Sequence, residues 1–168
     1  EFHLYVQSEI LLQEAILGFR FNQTINSAGN VRKAYQLIKK NEVDHPTFIL
    51  NRKISAMVNI LIGLVPDRYN WIVKFAGLDG NISQGEKIFR ELVDELNGTI
   101  YKAYRTEVLF FLGNLYANYP MNVEAHVQLK QIESIGENSP LIAFVYSNIL
   151  MAKGENEKAF DLLDGVLK

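Results

Sequence analysis

Val108-Leu-Phe-Phe-Leu-Gly-Asn-Leu-Tyr116 and Gly154-Glu-Asn-Glu-Lys-Ala159 are the stretches that decide how this chain is read. In the second, a residue suited to ending a helix is followed five positions later by a small residue on the next helix. The turn position needs a residue that stops a helix, and the small residue lets the second helix approach the first closely. The same pair recurs as Gly29 with Ala34, Gly80 with Gly85, and Pro120 with Ala125, at steps of 51, 40 and 34 residues. The first stretch places Leu112, Gly113 and Tyr116 ahead of the third turn.

Outward from these stretches the apolar residues keep a helical period. Between Phe2 and Asn26, residues Leu4, Ile10, Leu11, Leu12, Ala15, Ile16, Phe19 and Ile25 recur mainly at spacings of three, four and seven, and no comparable run alternates with period two. The same test predicts further helices near 31–40, 47–64, 68–77, 82–96, 100–118, 122–134, 141–152 and 155–167. Nine helices are therefore expected, in an all-α chain. The four prolines, at 46, 66, 120 and 140, each mark a break in the periodicity. Ser83 stands three residues before Glu86 in capping-box spacing, Gly98-Thr99 separates two helices, and Pro140 suits a helix start.

Composition agrees with one ordered domain, 1–168. Hydrophobic residues make up 48% of the 168, aromatics 11% and charged residues 21%, far from compositions that stay disordered. The formal net charge is -2 with Lys and Arg scattered, so no electrostatic footprint for nucleic acid is expected. The longest apolar stretch, 57–66, carries Asn59 and falls short of the roughly 20 residues a membrane-spanning helix needs. The chain has no cysteine, which removes disulfides and thiolate chemistry and leaves the redox compartment open. It begins Glu1-Phe2 without an initiator Met and is read as part of a longer protein.

On the turn and small-residue rhythm and on Leu112-Gly113-x-x-Tyr116, the chain resembles the tetratricopeptide superfamily, with units 106–139 and 140–168 nearest its consensus. Gly85 stands in place of the usual Ala, Pro120 in place of the usual turn Gly, and the early Trp is absent from every unit. The segment Gly63-Leu-Val-Pro-Asp-Arg-Tyr-Asn-Trp71, with Phe75-Ala-Gly-Leu-Asp-Gly-Asn-Ile-Ser-Gln-Gly85, resembles uncharacterised bacterial tetratricopeptide-like proteins. More distantly it is similar to a eukaryotic family that includes the yeast inclusion-body clearance protein. The resemblance implies a right-handed antiparallel α-α superhelix, a scaffold that binds a protein or peptide without catalysis, and a bacterial envelope or periplasmic setting over the cytoplasm.

No catalytic, cofactor-binding or metal-binding residues are expected. Gly80-Asn-Ile-Ser-Gln-Gly85-Glu86-Lys87 approaches a phosphate-binding loop, but Glu86 stands where a Lys must meet the phosphates, and a helix-to-helix turn is the better reading. His3, His45 and His126 have no His, Cys or carboxylate at the i,i+4 spacing of a helical metal site. Glu91, Asp94 and Glu95 lie on one turn beside Arg90 and read as a solvated face, and no serine sits in a G-x-S-x-G elbow. The glycosylation patterns at Asn22, Asn81 and Asn97 read as chance, since Asn22 falls inside a predicted helix.

For a partner groove the resemblance implies first-helix positions, chiefly the second, fifth, ninth and twelfth of each repeat. Counted from the turns, Phe19 and Gln23, Asn70 and Lys74, Phe110 and Asn114, and Phe144 and Asn148 take the fifth and ninth positions. The asparagines offer amide donors and acceptors to a peptide backbone, and Phe110 and Phe144 offer apolar pockets. The alternative for these phenylalanines is packing between hairpins. The family's carboxylate clamp wants Lys at the fifth position, so recognition of a C-terminal carboxylate is not expected. Self-association through the exposed ends of the stack is the second functional reading, supported by apolar residues on more than one side of the first helix. A helical ligand-binding enzyme domain is a third, resting on the apolar segment 57–66 alone.

Overall fold

The computed structural model describes residues 1–65, 71, 78–119, 126–136 and 139–166. Among these the protein is all-helical, with eight α-helices and no strand. They are α1 (Phe2–Arg20), α2 (Thr24–Asp44), α3 (Asn51–Gly63), α4 (Ile82–Glu95), α5 (Tyr104–Asn118), α6 (His126–Gly136), α7 (Pro140–Ala152) and α8 (Asn156–Val166). The expected helix near 68–77 lies almost wholly outside the described residues, as does the 120/125 pair and much of the segment 63–85. The chain divides into two compact units, Glu1–Phe89 and Arg90–Lys168. None of the described helices is long and apolar enough to cross a membrane.

In the N-terminal unit the first turn does not fall at Gly29. Helix α1 ends at Arg20, where Asn22 takes a left-handed conformation (φ 60°). The Gln23 N–H donates to the Gly18 carbonyl at 2.8 Å and the Asn22 N–H to that of Phe19 at 3.3 Å. This is a Schellman closure, with Asn in the position glycine usually fills because its short polar side chain tolerates that backbone region. Helix α2 then runs unbroken through Gly29, since Ser27, Val31, Ala34, Ile38 and Asn41 form a continuous buried stripe. Gly29 lies on the outer side, with nothing within 4 Å of where a Cβ would stand. Asn22 is accordingly in an exposed turn rather than inside a helix.

Helices α1 and α2 pack as a hairpin, and α3 packs on both. A Cβ on Gly18 would collide with the Ser27 hydroxyl, so the hairpin closes on a glycine. Its interior is partly polar. Asn41 Nδ2 donates to Asn51 Oδ1 (2.7 Å) and to the Glu1 carbonyl (3.0 Å), while Asn51 Nδ2 donates to the His45 carbonyl (3.1 Å). Lys53, fully buried, donates to the Tyr5 hydroxyl (3.0 Å) and to Glu9 Oε1 (2.5 Å). The rings of Phe2, Tyr5 and Phe48 meet edge to face beside them. A buried ammonium is tolerable only with such partners.

Helix α4 begins at Ile82, and its cap is Asn81 rather than the expected Ser83. Asn81 Oδ1 accepts from the N–H groups of Ser83 (2.8 Å) and Gln84 (3.3 Å), which are free at the start of a helix. Gly85 is small for the expected reason, though against α3: a Cβ would stand 2.6 Å from Ile60 Cγ1 and 2.7 Å from the Ala56 carbonyl oxygen.

The C-terminal unit is built by shape. Helix α5 packs on α6 and α7, and α7 on α6 and α8. Its described core includes Leu109, Leu112, Ile132, Ile142, Val145 and Ile149, each at most 1% exposed. A Cβ on Gly113 would collide with Val145, so the helix pair needs a glycine there. Pro140 sits at the first turn of α7, where its missing N–H costs nothing. Gly154 (φ 80°) closes α7, with the Glu155 N–H on the Leu150 carbonyl (2.9 Å) and its own N–H on that of Met151 (2.9 Å). Ala159 follows five residues later and is buried, as the 154/159 pair predicts.

Candidate functional site

Of the residues expected to line a groove, Phe19 and Gln23 belong to the N-terminal unit and Phe110, Asn114, Phe144 and Asn148 to the C-terminal one; Asn70 and Lys74 lie outside the described residues. Phe19 is half-buried on α1 and borders a hollow of about 20 Å³ with Val31, Leu61 and Leu78. That space holds little more than a water. Gln23 is exposed and spends its N–H on the α1 closure.

Phe110 is half-buried, its ring edge to face with Phe111 at 5.8 Å. Asn114 donates one amide proton to the Phe110 carbonyl at 2.8 Å, which leaves its second proton and its oxygen for other partners. Phe144 is 54% exposed and Asn148 half-buried on α7, the helix that seats Val145 against Gly113 of α5. These four side chains therefore stand on two helices that pack together.

A site absent from the sequence reading lies in the N-terminal unit. A chiefly polar cleft of about 470 Å³ opens between α2, α3 and the loop that leads into α4. One wall carries Tyr35 and Lys39, a turn apart on α2, with Lys39 Nζ 5.6 Å from the centre of the Tyr35 ring. Lys39 donates to Glu42 Oε2 (2.7 Å), and that hydrogen bond raises the pKa of the ammonium above its ordinary value. The other oxygen of Glu42 accepts from the Ser55 hydroxyl (2.6 Å), which ties α2 to α3.

The second wall carries Ser55 and Asn59, again a turn apart, with Asn59 Nδ2 on the Ser55 carbonyl (2.8 Å). The rim is formed by Asp79, Gly80, Asn81 and Gln84. Gly80 lets this loop press onto α3, since a Cβ there would stand 2.6 Å from Ile62 Cβ. The i,i+4 pairs Tyr35/Lys39 and Ser55/Asn59 are visible in the sequence, but nothing in it pairs their two helices face to face.

A second, more open hollow of about 370 Å³ lies in the C-terminal unit beside Arg105, Lys130, Gln131 and Ser134. Arg105 Nη2 donates to Gln131 Oε1 (2.7 Å), whose amide nitrogen reaches Asp94 at 3.5 Å. Its cationic head is thus partly committed within the protein. Among the described residues no group of three His, Cys, Asp or Glu side chains is placed to hold a metal ion. Compared with known proteins, the chain matches no family model, no curated protein and no solved structure.

Proposed function

We propose that this protein is a non-enzymatic scaffold of the tetratricopeptide type that binds a protein or an extended peptide. The observation that carries this reading is the outer face of α7. Leu141 and Phe144 are each 54% exposed and Met151 48%, in one stripe with Asn148, while Ile142, Ala143, Val145 and Ile149 are buried on the other side. An exposed apolar stripe with a spaced amide suits a peptide that offers side chains to pockets and its backbone to Asn148 and to the neighbouring Asn114. The turn at Gly154, the buried Ala159 and the contact of Gly113 with Val145 support the repeat reading of this unit.

The test is selection of peptides from a random library on the full chain, followed by titration against Asn114→Ala/Asn148→Ala and Phe144→Ala. Truncation of a central aromatic contact weakens binding by about 1–2 kcal/mol, roughly tenfold. Selected peptides that bind all of these variants as well as the parent protein would sink the groove assignment.

Self-association is the second reading, supported by Val6, Ile10, Leu17 and Phe21, which form an exposed apolar stripe along α1 and its cap. Sedimentation that depends on concentration, and no longer does so in Leu17→Glu, would favour it over a monomeric binder.

A further inference from the structure

We infer that the polar cleft between α2, α3 and the loop entering α4 is a peptide subsite in its own right, one that takes an extended segment carrying a lysine or arginine side chain. The inference rests on the scaffold reading above but assigns a different surface and a charge preference.

The charge balance of the cleft leads to the preference. Lys39 and Glu42 neutralise one another, and Glu42 is further occupied by Ser55. Asp79 is exposed on the rim and has no partner among the described residues, so the described lining of the cleft carries one uncompensated negative charge. A cationic side chain of the ligand is what meets that carboxylate.

The amide inventory leads to the peptide. Asn59 commits one amide proton to Ser55, and its oxygen is only weakly engaged by the Asn81 N–H at 3.4 Å. Asn81 spends its oxygen on the α4 cap and retains its NH₂ group, and the Gln84 side chain has no partner among the described residues. A peptide backbone presents alternating N–H and C=O groups, and these side chains supply both complements. On the α2 wall the Tyr35 ring gives an apolar surface for an aliphatic stem. The volume lies in the range of sites that enclose a small ligand or a short segment.

The experiment uses the full chain and a synthetic array in which one apolar peptide framework carries Lys/Arg, Asp/Glu or neutral residues at each position, with affinities then measured by titration. The expected result is preference for the basic members, a loss of about five- to tenfold in Asp79→Asn that shrinks at high salt, and a reversal toward acidic members in Asp79→Lys. Gln84→Ala weakens the same peptides. Asp79 and Gln84 are exposed, so unaltered melting curves serve as the control for folding. Peptides that bind without regard to charge or to Asp79 would overturn the cleft assignment and leave the scaffold reading standing. Absence of binding across the whole array would overturn both.

Discussion

The N-terminal unit buries Ser8, Ser27, Asn41, Asn51 and Lys53 among its apolar residues, whereas Ser147 is the buried polar residue of the C-terminal unit among those described. Ser147 merely bonds the carbonyl one turn back in its own helix (2.8 Å to Ala143). The two units specify their helix packing by different means. In the first, directional bonds join positions far apart in sequence: Lys53 to Tyr5 and Glu9, and Asn41 to Glu1 and Asn51. In the second, the core is apolar and fits by shape, with Gly113 admitting Val145, and the bond from Arg105 to Gln131 lies outside that core. Directional bonds penalise a shifted register through unsatisfied polar groups, while shape penalises it through voids and clashes.

The largest effect should come from breaking the polar side of this contrast. Glu9→Ala takes the Glu9 carboxylate away from the buried Lys53 ammonium and is expected to cost about 3 kcal/mol. The double variant Glu9→Leu/Lys53→Met should recover most of that loss, because two apolar side chains remove the desolvation cost altogether. Urea unfolding at constant m-value measures both. A loss under about 1 kcal/mol for Glu9→Ala would erase the distinction between the units.

Next comes a pair of glycine substitutions. Gly113→Ala should destabilise by about 1–2 kcal/mol, because its Cβ meets Val145, and Val145→Ala should relieve much of this. Gly29→Ala, on the open side of α2, should instead stabilise by about 0.5–1 kcal/mol through lower backbone entropy in the unfolded chain. Melting temperatures that shift in the same direction for both would show that shape does not govern the C-terminal unit.

The smallest effect concerns Tyr146, a half-buried polar group in the mainly apolar unit. Burial, aided by the Glu133 carboxylate, pushes its pKa up to about 12 from an ordinary value of 10.0. The folded protein therefore holds a proton that the unfolded chain gives up between about pH 10 and 12, and the stability tied to it is intact below 10 and lost as pH rises through 12. Tyrosinate absorbance should include a late-titrating component that Glu133→Gln moves earlier.

Much of the helical content was legible. The apolar stripes of α5, α7 and α8 and the breaks at Pro140 and Gly154 are local features, read from spacing alone. The first turn falls at Asn22 and not at Gly29, the more familiar breaker, because the stripe Ser27, Val31, Ala34, Ile38 continues past the glycine. The α4 cap moved from Ser83 to Asn81 for a similar reason, since several residues there have suitable oxygens and only backbone geometry selects one. Phe110 and Asn114 stand on α5 and Phe144 and Asn148 on α7, and that these two helices pack together is a tertiary fact. Lys53 carried no mark in the sequence: a lysine on a helix is ordinarily solvated, and its burial depends on Tyr5 and Glu9 more than forty residues away.

The sequence by itself determined the helices and most of their ends, because periodicity and capping act over a few residues. Tertiary structure alone decided which helices meet, and with that the buried lysine and the cleft around Asn59 and Asp79. Those features arise from contacts between segments far apart in the chain, where the free energy of each partner depends on the others being in place.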